Sequence, residues 1–261
     1  MTVPPISPAQ MDALVSLVNA YICPIQTIPR GNTEQPPGRH YGTGWLYERD
    51  GRPFLVTCEH VSRRQRNGSV GFNCHGSELG TNVDGEFVEL PFPVDAAIAS
   101  IAGSFGRLPH QGRCATRELM APYRDAVQGE LFYVCGFPGA DARQGFGEQS
   151  VDALSVFVRE EELNEEVFKE EPPHPDAKLH ICLSWSPARA TAVGGTKGAL
   201  SLPDGMSGSP LWNTRYEEIM RQGRTWKPED ARIAGIVWGH SAKACQIYAT
   251  PIEAISAQLL A

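Results

Sequence analysis

Hydrophobic and polar residues change period along the chain. Near the N-terminus Met11, Leu14, Val15, Leu17 and Val18 recur at helical spacing. Ser7-Pro8 stands just before them, a side-chain cap followed by a residue suited to the first helical position. This predicts a short amphipathic helix over 8–20, ended by Pro24. Beyond it the period shortens to that of strands. Tyr41–Tyr47 and Pro53–Thr57 flank Asp50-Gly51, a pair suited to a tight hairpin turn. Strands are also predicted at 69–73, 86–90 and 96–101. A second group follows at 130–135, 151–158, 179–184, 208–212, 233–238 and 246–249, and Ile252–Leu260 reads as a terminal helix. Two groups of short strands with turn residues between them indicate an all-β chain of two barrels or sandwiches. The join falls within 106–129.

Composition agrees with this picture. The 26 glycines and 21 prolines supply many turns. Apolar residues at 41% and charged residues at 20% are ordinary for a globular protein. A net charge of −7, with Arg63-Arg64-Gln65-Arg66 as the basic cluster, argues against nucleic acid as a partner. That cluster reads as a solvated loop. No run of 18 apolar residues exists, so no membrane partner is expected. Met1–Ala20 lacks the basic and apolar regions of a secretory signal. The seven cysteines are odd in number, widely spaced and without a C-x-x-C pair. They read as buried free thiols, and a cytoplasmic location is expected. Neither metal nor organic cofactor is expected. The glutamate-rich stretch 159–176 reads as a surface excursion, either a solvated face or a loop facing a substrate or partner.

Three short segments carry candidate chemistry. Gly205-Met-Ser-Gly-Ser-Pro210 offers a serine on a tight turn with backbone N–H groups nearby, as a nucleophile and its oxyanion require. Leu55-Val-Thr-Cys-Glu-His60 ends an apolar strand on a histidine. Pro93-Val-Asp95-Ala-Ala-Ile-Ala99 begins one on an aspartate. Each alone is a common strand-end or turn feature. Together they run in the order His, Asp, Ser, with the first two in one β half and Ser207 in the other.

With Gly42-Thr-Gly-Trp-Leu, Ala234-Gly-Ile-Val-Trp-Gly239 and Ile247-Tyr-Ala-Thr-Pro-Ile252, these segments resemble the chymotrypsin-like (trypsin-like) serine peptidases, and among them the bacterial trypsin-like peptidase domains. The likeness spans about 20–261. It implies two six-stranded antiparallel β-barrels with the active site in the cleft between them, and short terminal helices. The division would be a helical extension at 1–22, a first barrel at 23–115 and a second barrel with a C-terminal helix at 116–261. It further implies a serine endopeptidase with Ser207 as nucleophile, His60 as general base and Asp95 as orienting acid. Gly205 and Ser207 N–H groups would form the oxyanion hole. The substrate pocket would be walled by 200–205, 238–241 and 245–247, with Ser201, His240 and Gln246 suited to a polar or acidic side chain.

Departures from the family pattern matter. Met206 stands where secreted digestive enzymes have an aspartate that pairs with a freshly cut N-terminus. The Ile-Val-Gly-Gly start of those enzymes is also missing. Activation by that cut is therefore not expected. The partners expected are a protein or peptide substrate, cleaved in a limited way inside the cell, and a regulatory protein. Two rival readings are a catalytically silent peptidase fold used for binding, and an α/β-hydrolase using Ser207, Asp230 and His240.

Overall fold

The computed structural model describes residues 5–31, 39–77, 79–107, 109–139, 142–145, 148–186, 191–193 and 202–260. Seven strands build a first antiparallel sheet: β1 (Ile22–Pro29), β2 (Arg39–Arg49), β3 (Arg52–Thr57), β4 (Gly68–Phe72), β5 (Thr81–Asn82), β6 (Val88–Leu90) and β7 (Ala96–Ser100). Their order is β5-β4-β1-β2-β3-β7-β6. After β8 (Leu131–Gly136), β9 (Ala142–Gly145) and β10 (Glu148–Val151) form a hairpin of their own. Then come β11 (Leu154–Arg159), β12 (Ile181–Ser184), β13 (Thr191–Val193), β14 (Pro210–Asn213), β15 (Arg232–Ser241) and β16 (Gln246–Pro251). The second sheet runs β12-β16-β15-β14-β8-β11-β13. Both sheets curl, so the architecture is the expected all-β pair of barrels. Each has seven strands where six were expected. The surplus comes from strands of two or three residues, such as β5, too short to show a period of two.

Two strand-level features have plain causes. Asp50 and Gly51 both adopt positive φ (53° and 72°), the turn geometry that matches the twist of a two-residue hairpin joining β2 to β3. In β1, Pro24 lies inside a central strand. The ladder to β4 begins only at Ile25, so the missing N–H of Pro24 falls outside it. The proline hid this strand from the hydrophobic pattern.

Among the described residues four α-helices accompany the sheets: α1 (Pro8–Asn19), α2 (Glu59–Ser62), α3 (Tyr216–Arg221) and α4 (Ile252–Ile255). A capping box starts α1: Gln10 N–H donates to Ser7 Oγ at 3.3 Å and Ser7 N–H to Gln10 Oε1 at 3.1 Å. Leu14 and Val18 are buried, and α1 packs on β8 as well as β1. The C-terminal helix is shorter than expected, because α4 passes into a π-type turn over Ser256–Leu260. Tyr47 and Arg49 of the first sheet donate to the Leu260 and Leu259 carbonyls at 2.8 and 3.1 Å. Each end of the chain therefore packs across onto the sheet it does not continue into. One apolar core joins the two sheets, with Tyr21 and Trp212 rings 5.8 Å apart. Among the described residues no helix is long and apolar enough to cross a membrane.

Candidate active site

β3 delivers its chain into α2, whose second residue is His60. The turn holds because its polar groups are paired in place. Glu59, buried, accepts from Arg63 at 2.6 Å, and Ser62 donates to Glu89 at 2.7 Å. Arg66 also reaches Glu89, and Arg64 lies 4.3 Å above the Tyr41 ring. The arginine cluster is thus solvent-exposed, as expected, but forms a short 3-10 turn tied to carboxylates and an aromatic face rather than a loop.

Asp95 enters β7 with φ at 49°, a left-handed conformation that a non-glycine residue keeps only where its surroundings impose it. Its Oδ1 accepts the His60 backbone N–H at 3.0 Å, and its Oδ2 accepts from His60 Nδ1 at 2.7 Å. An ionised carboxylate only accepts, so Nδ1 donates this bond, and in the neutral ring Nε2 keeps its lone pair. The Asp95 side chain is 6% exposed and that of His60 34%, so the carboxylate is covered while the imidazole faces the cleft. Cys58 adds a thiol, which with the His60 and Asp95 donor atoms falls within 4.8 Å. His60 Nδ1 is already committed to Asp95, and the thiol donates to the Val237 carbonyl at 3.2 Å. Burial, then the charge of Asp95, pushes the Cys58 pKa well up, so the thiol stays protonated and acts as packing.

The Ser207 turn is held by contacts from far along the chain. Gly205 and Gly208 have φ of +93° and +95°. A Cβ on Gly208 would stand 1.9 Å from the Thr43 carbonyl oxygen, so no larger residue fits. Thr43 acts three times: its N–H donates to Ser207 O (2.8 Å), its hydroxyl donates to Gly205 O (3.0 Å), and that hydroxyl accepts from Phe137 N–H (2.9 Å). Gly208 N–H donates to Val237 O at 2.7 Å, and Val237 N–H to Ser209 O at 2.8 Å. Among the described residues no intramolecular acceptor takes the N–H of Gly205 or Ser207. The Ser207 hydroxyl donates to the Trp238 carbonyl at 3.2 Å. Attack on a substrate would need it to rotate toward His60.

A cleft of about 880 Å³ gathers His60, Asp95, Gly205, Ser207 and His240. His240 lies 4.0 Å from Asp204. Ser201 lies outside the described residues. Gln246 is turned away from this cleft. It accepts from Asn164 N–H at 3.1 Å and donates to Glu162 O at 2.7 Å, and it lines a second cavity with Glu162, Asn164 and Lys243. Asp230 does not join Ser207 and His240 either, since it accepts from Lys227 N–H at 2.9 Å in a remote turn. With both sheets antiparallel, the α/β-hydrolase reading has no support.

The glutamate-rich excursion is part of the cleft. Val167 is buried, and Val167, Glu170, Glu171 and Pro173 line the wall. Glu170 accepts from Lys243 N–H at 3.0 Å, and that bond holds its pKa below the ordinary value. Thr43 and His40 are site residues that the sequence did not single out. His40 Nε2 donates to Phe137 O at 2.5 Å, while Nδ1 is buried without a partner. Burial lowers its pKa. Thr43 lies in the quoted Gly42-Thr-Gly motif, but its contacts with the Ser207 turn are too distant along the chain to read there.

Solved structures share this fold. The active form of the Rv3671c protease from M. tuberculosis superposes with a TM-score of 0.53 and 16% identity, over 100% of this chain and 90% of that one. The apo MamO protease domain from Magnetospirillum magneticum gives 0.52 and 11%, over 93% and 97%. At such identities the likeness concerns the fold. None of the curated proteins compared matches the chain. A family model described as the trypsin-like peptidase domain matches residues 42–219, which span most of both sheets and all three candidate catalytic residues. The chain belongs to the trypsin-like peptidase domain family.

Proposed function

We propose that this peptidase-family chain is a serine endopeptidase working through an acyl-enzyme. The observation that carries the reading is the 2.7 Å bond that His60 Nδ1 donates to Asp95, beside Ser207 in one cleft. That bond leaves Nε2 as the base. Ser207 Oγ adds to the scissile carbonyl while its proton passes to His60 Nε2. The oxyanion takes the N–H groups of Gly205 and Ser207. His60 then returns the proton to the leaving amine as the C–N bond breaks. Water, activated by the same ring, hydrolyses the ester. Asp95 stays ionised and stabilises the imidazolium throughout.

Limited cleavage of an intracellular protein, under a regulatory partner, is the setting we propose. Support comes from seven free cysteines, as in a reducing compartment, and from a cleft wall built by the long excursion rather than left open. A second reading, a silent fold used for binding, draws on the Ser207 hydroxyl being bonded to Trp238 instead of His60. A diverse peptide library read by mass spectrometry decides between them. New termini with wild type and none with Ser207→Ala support the peptidase, whereas identical digests with both proteins would leave only the silent fold.

A further inference from the structure

Asp95 holds a left-handed backbone, and its own segment only partly explains this. Val94 and Asp95 N–H groups both donate to Pro91 O, at 3.1 and 3.3 Å, which forms a local turn. The carbonyls of this segment are held from the other sheet. Thr250 of β16 donates to Val94 O at 2.8 Å, and His180 Nε2 donates to Pro93 O at 2.7 Å. His180 Nδ1 accepts from the backbone N–H of Asp176 at 2.8 Å. One ring nitrogen must therefore accept while the other donates, which defines a neutral ring with its proton on Nε2. Burial favours that form as well. The ring packs against both Phe92 and Trp238, with centroids at 5.7 and 4.9 Å, and those two rings touch each other at 5.4 Å. The carbonyl of Trp238 accepts from Ser207.

We infer that His180 is a positioning residue for Asp95, through its bond to the Pro93 carbonyl and its packing against the strand that accepts from Ser207. The ring sits just before β12, at the end of the excursion whose middle lines the cleft. The first sheet supplies the acid, and the second sheet sets its direction. This rests on the peptidase reading given above.

The test uses His180→Phe, which keeps an aromatic ring and removes both hydrogen bonds, and His180→Gln, whose amide can still donate to Pro93 O. The rate of inactivation by a fluorophosphonate is expected to fall roughly 10–100-fold in His180→Phe, the scale of a small misplacement of a reacting group. Peptide kcat falls with KM within about twofold, and His180→Gln recovers most of the loss. In an Asp95→Ala background His180→Phe changes the rate less than about twofold, because the residue it positions is gone. An undiminished rate in His180→Phe, or an equal loss with and without Asp95, overturns the inference. A wild type that the reagent never labels defeats the peptidase reading instead. The His60 Nδ1–H proton, observed by NMR, then decides the inference by itself. Its resonance broadens or moves in His180→Phe if His180 positions Asp95, and stays unchanged if it does not.

Discussion

The two sides of the cleft are held by different means. On one side, Asp95 accepts both the backbone and the ring of His60, within a single sheet. On the other, the Ser207 turn takes its shape from distant residues: Thr43 of the first sheet bonds to Ser207 and Gly205, and Val237 bonds to Gly208. The first side is a directly bonded pair whose acidic segment is braced from the second sheet through the Pro93 and Val94 carbonyls. The second is a strained loop seated against a neighbour. Damage to the base pair should therefore remove chemistry and spare the fold, whereas damage to the seat should cost stability and rate together.

The largest contrast is expected from His60→Ala. It should lower kcat/KM by on the order of 10⁴–10⁶ with little change in the unfolding midpoint. A drop in midpoint comparable to that of a core mutant would show that the pair is a structural strut. Gly208→Ala breaks the other side. The Cβ meets the Thr43 carbonyl at 1.9 Å with φ at +95°, so denaturant unfolding should show a loss of at least ~2 kcal/mol. Wild-type stability in that variant would mean the turn is free to relax.

Thr43→Val removes the hydroxyl alone. It should slow fluorophosphonate inactivation roughly 10–100-fold, while Thr43→Ser retains most of the rate. A wild-type rate in Thr43→Val with a slower Thr43→Ser would make the residue a packing methyl.

The smallest effect concerns pH. Burial lowers the His40 pKa in the folded chain, so the unfolded chain binds the proton more readily. Stability then rises with pH, and it is lost as pH falls below the ordinary histidine value of about 6.5. His40→Gln should make stability fall less steeply as the pH drops below about 6.5, read as the unfolding midpoint across a pH series. Parallel curves would place the acid sensitivity elsewhere.

This asymmetry also governs what was legible in the sequence. His60 and Asp95 stand at the ends of apolar strands, and Ser207 stands between glycines, so local pattern exposed all three. The paired sheets followed from short apolar runs. The β1 strand did not, because Pro24 broke its pattern although the β4 ladder starts one residue later. Thr43, Thr250 and His180 left no local trace, since each works through a carbonyl or N–H group far away in sequence. The contacts of Gln246 were hidden for the same reason: its amide is used by the backbone of Glu162 and Asn164, which no periodicity reports. The excursion's glutamates read as solvent-facing by charge. Only the burial of Val167 beside them brings that wall into the cleft.

The central claim is that Ser207 is a nucleophile activated by the His60–Asp95 pair. Intact-mass and peptide mapping after fluorophosphonate treatment test it most directly. The account predicts one adduct, located on Ser207, formed by wild type and not by His60→Ala in the same interval. An unmodified wild type, an adduct on another residue, or equal labelling of His60→Ala would contradict it.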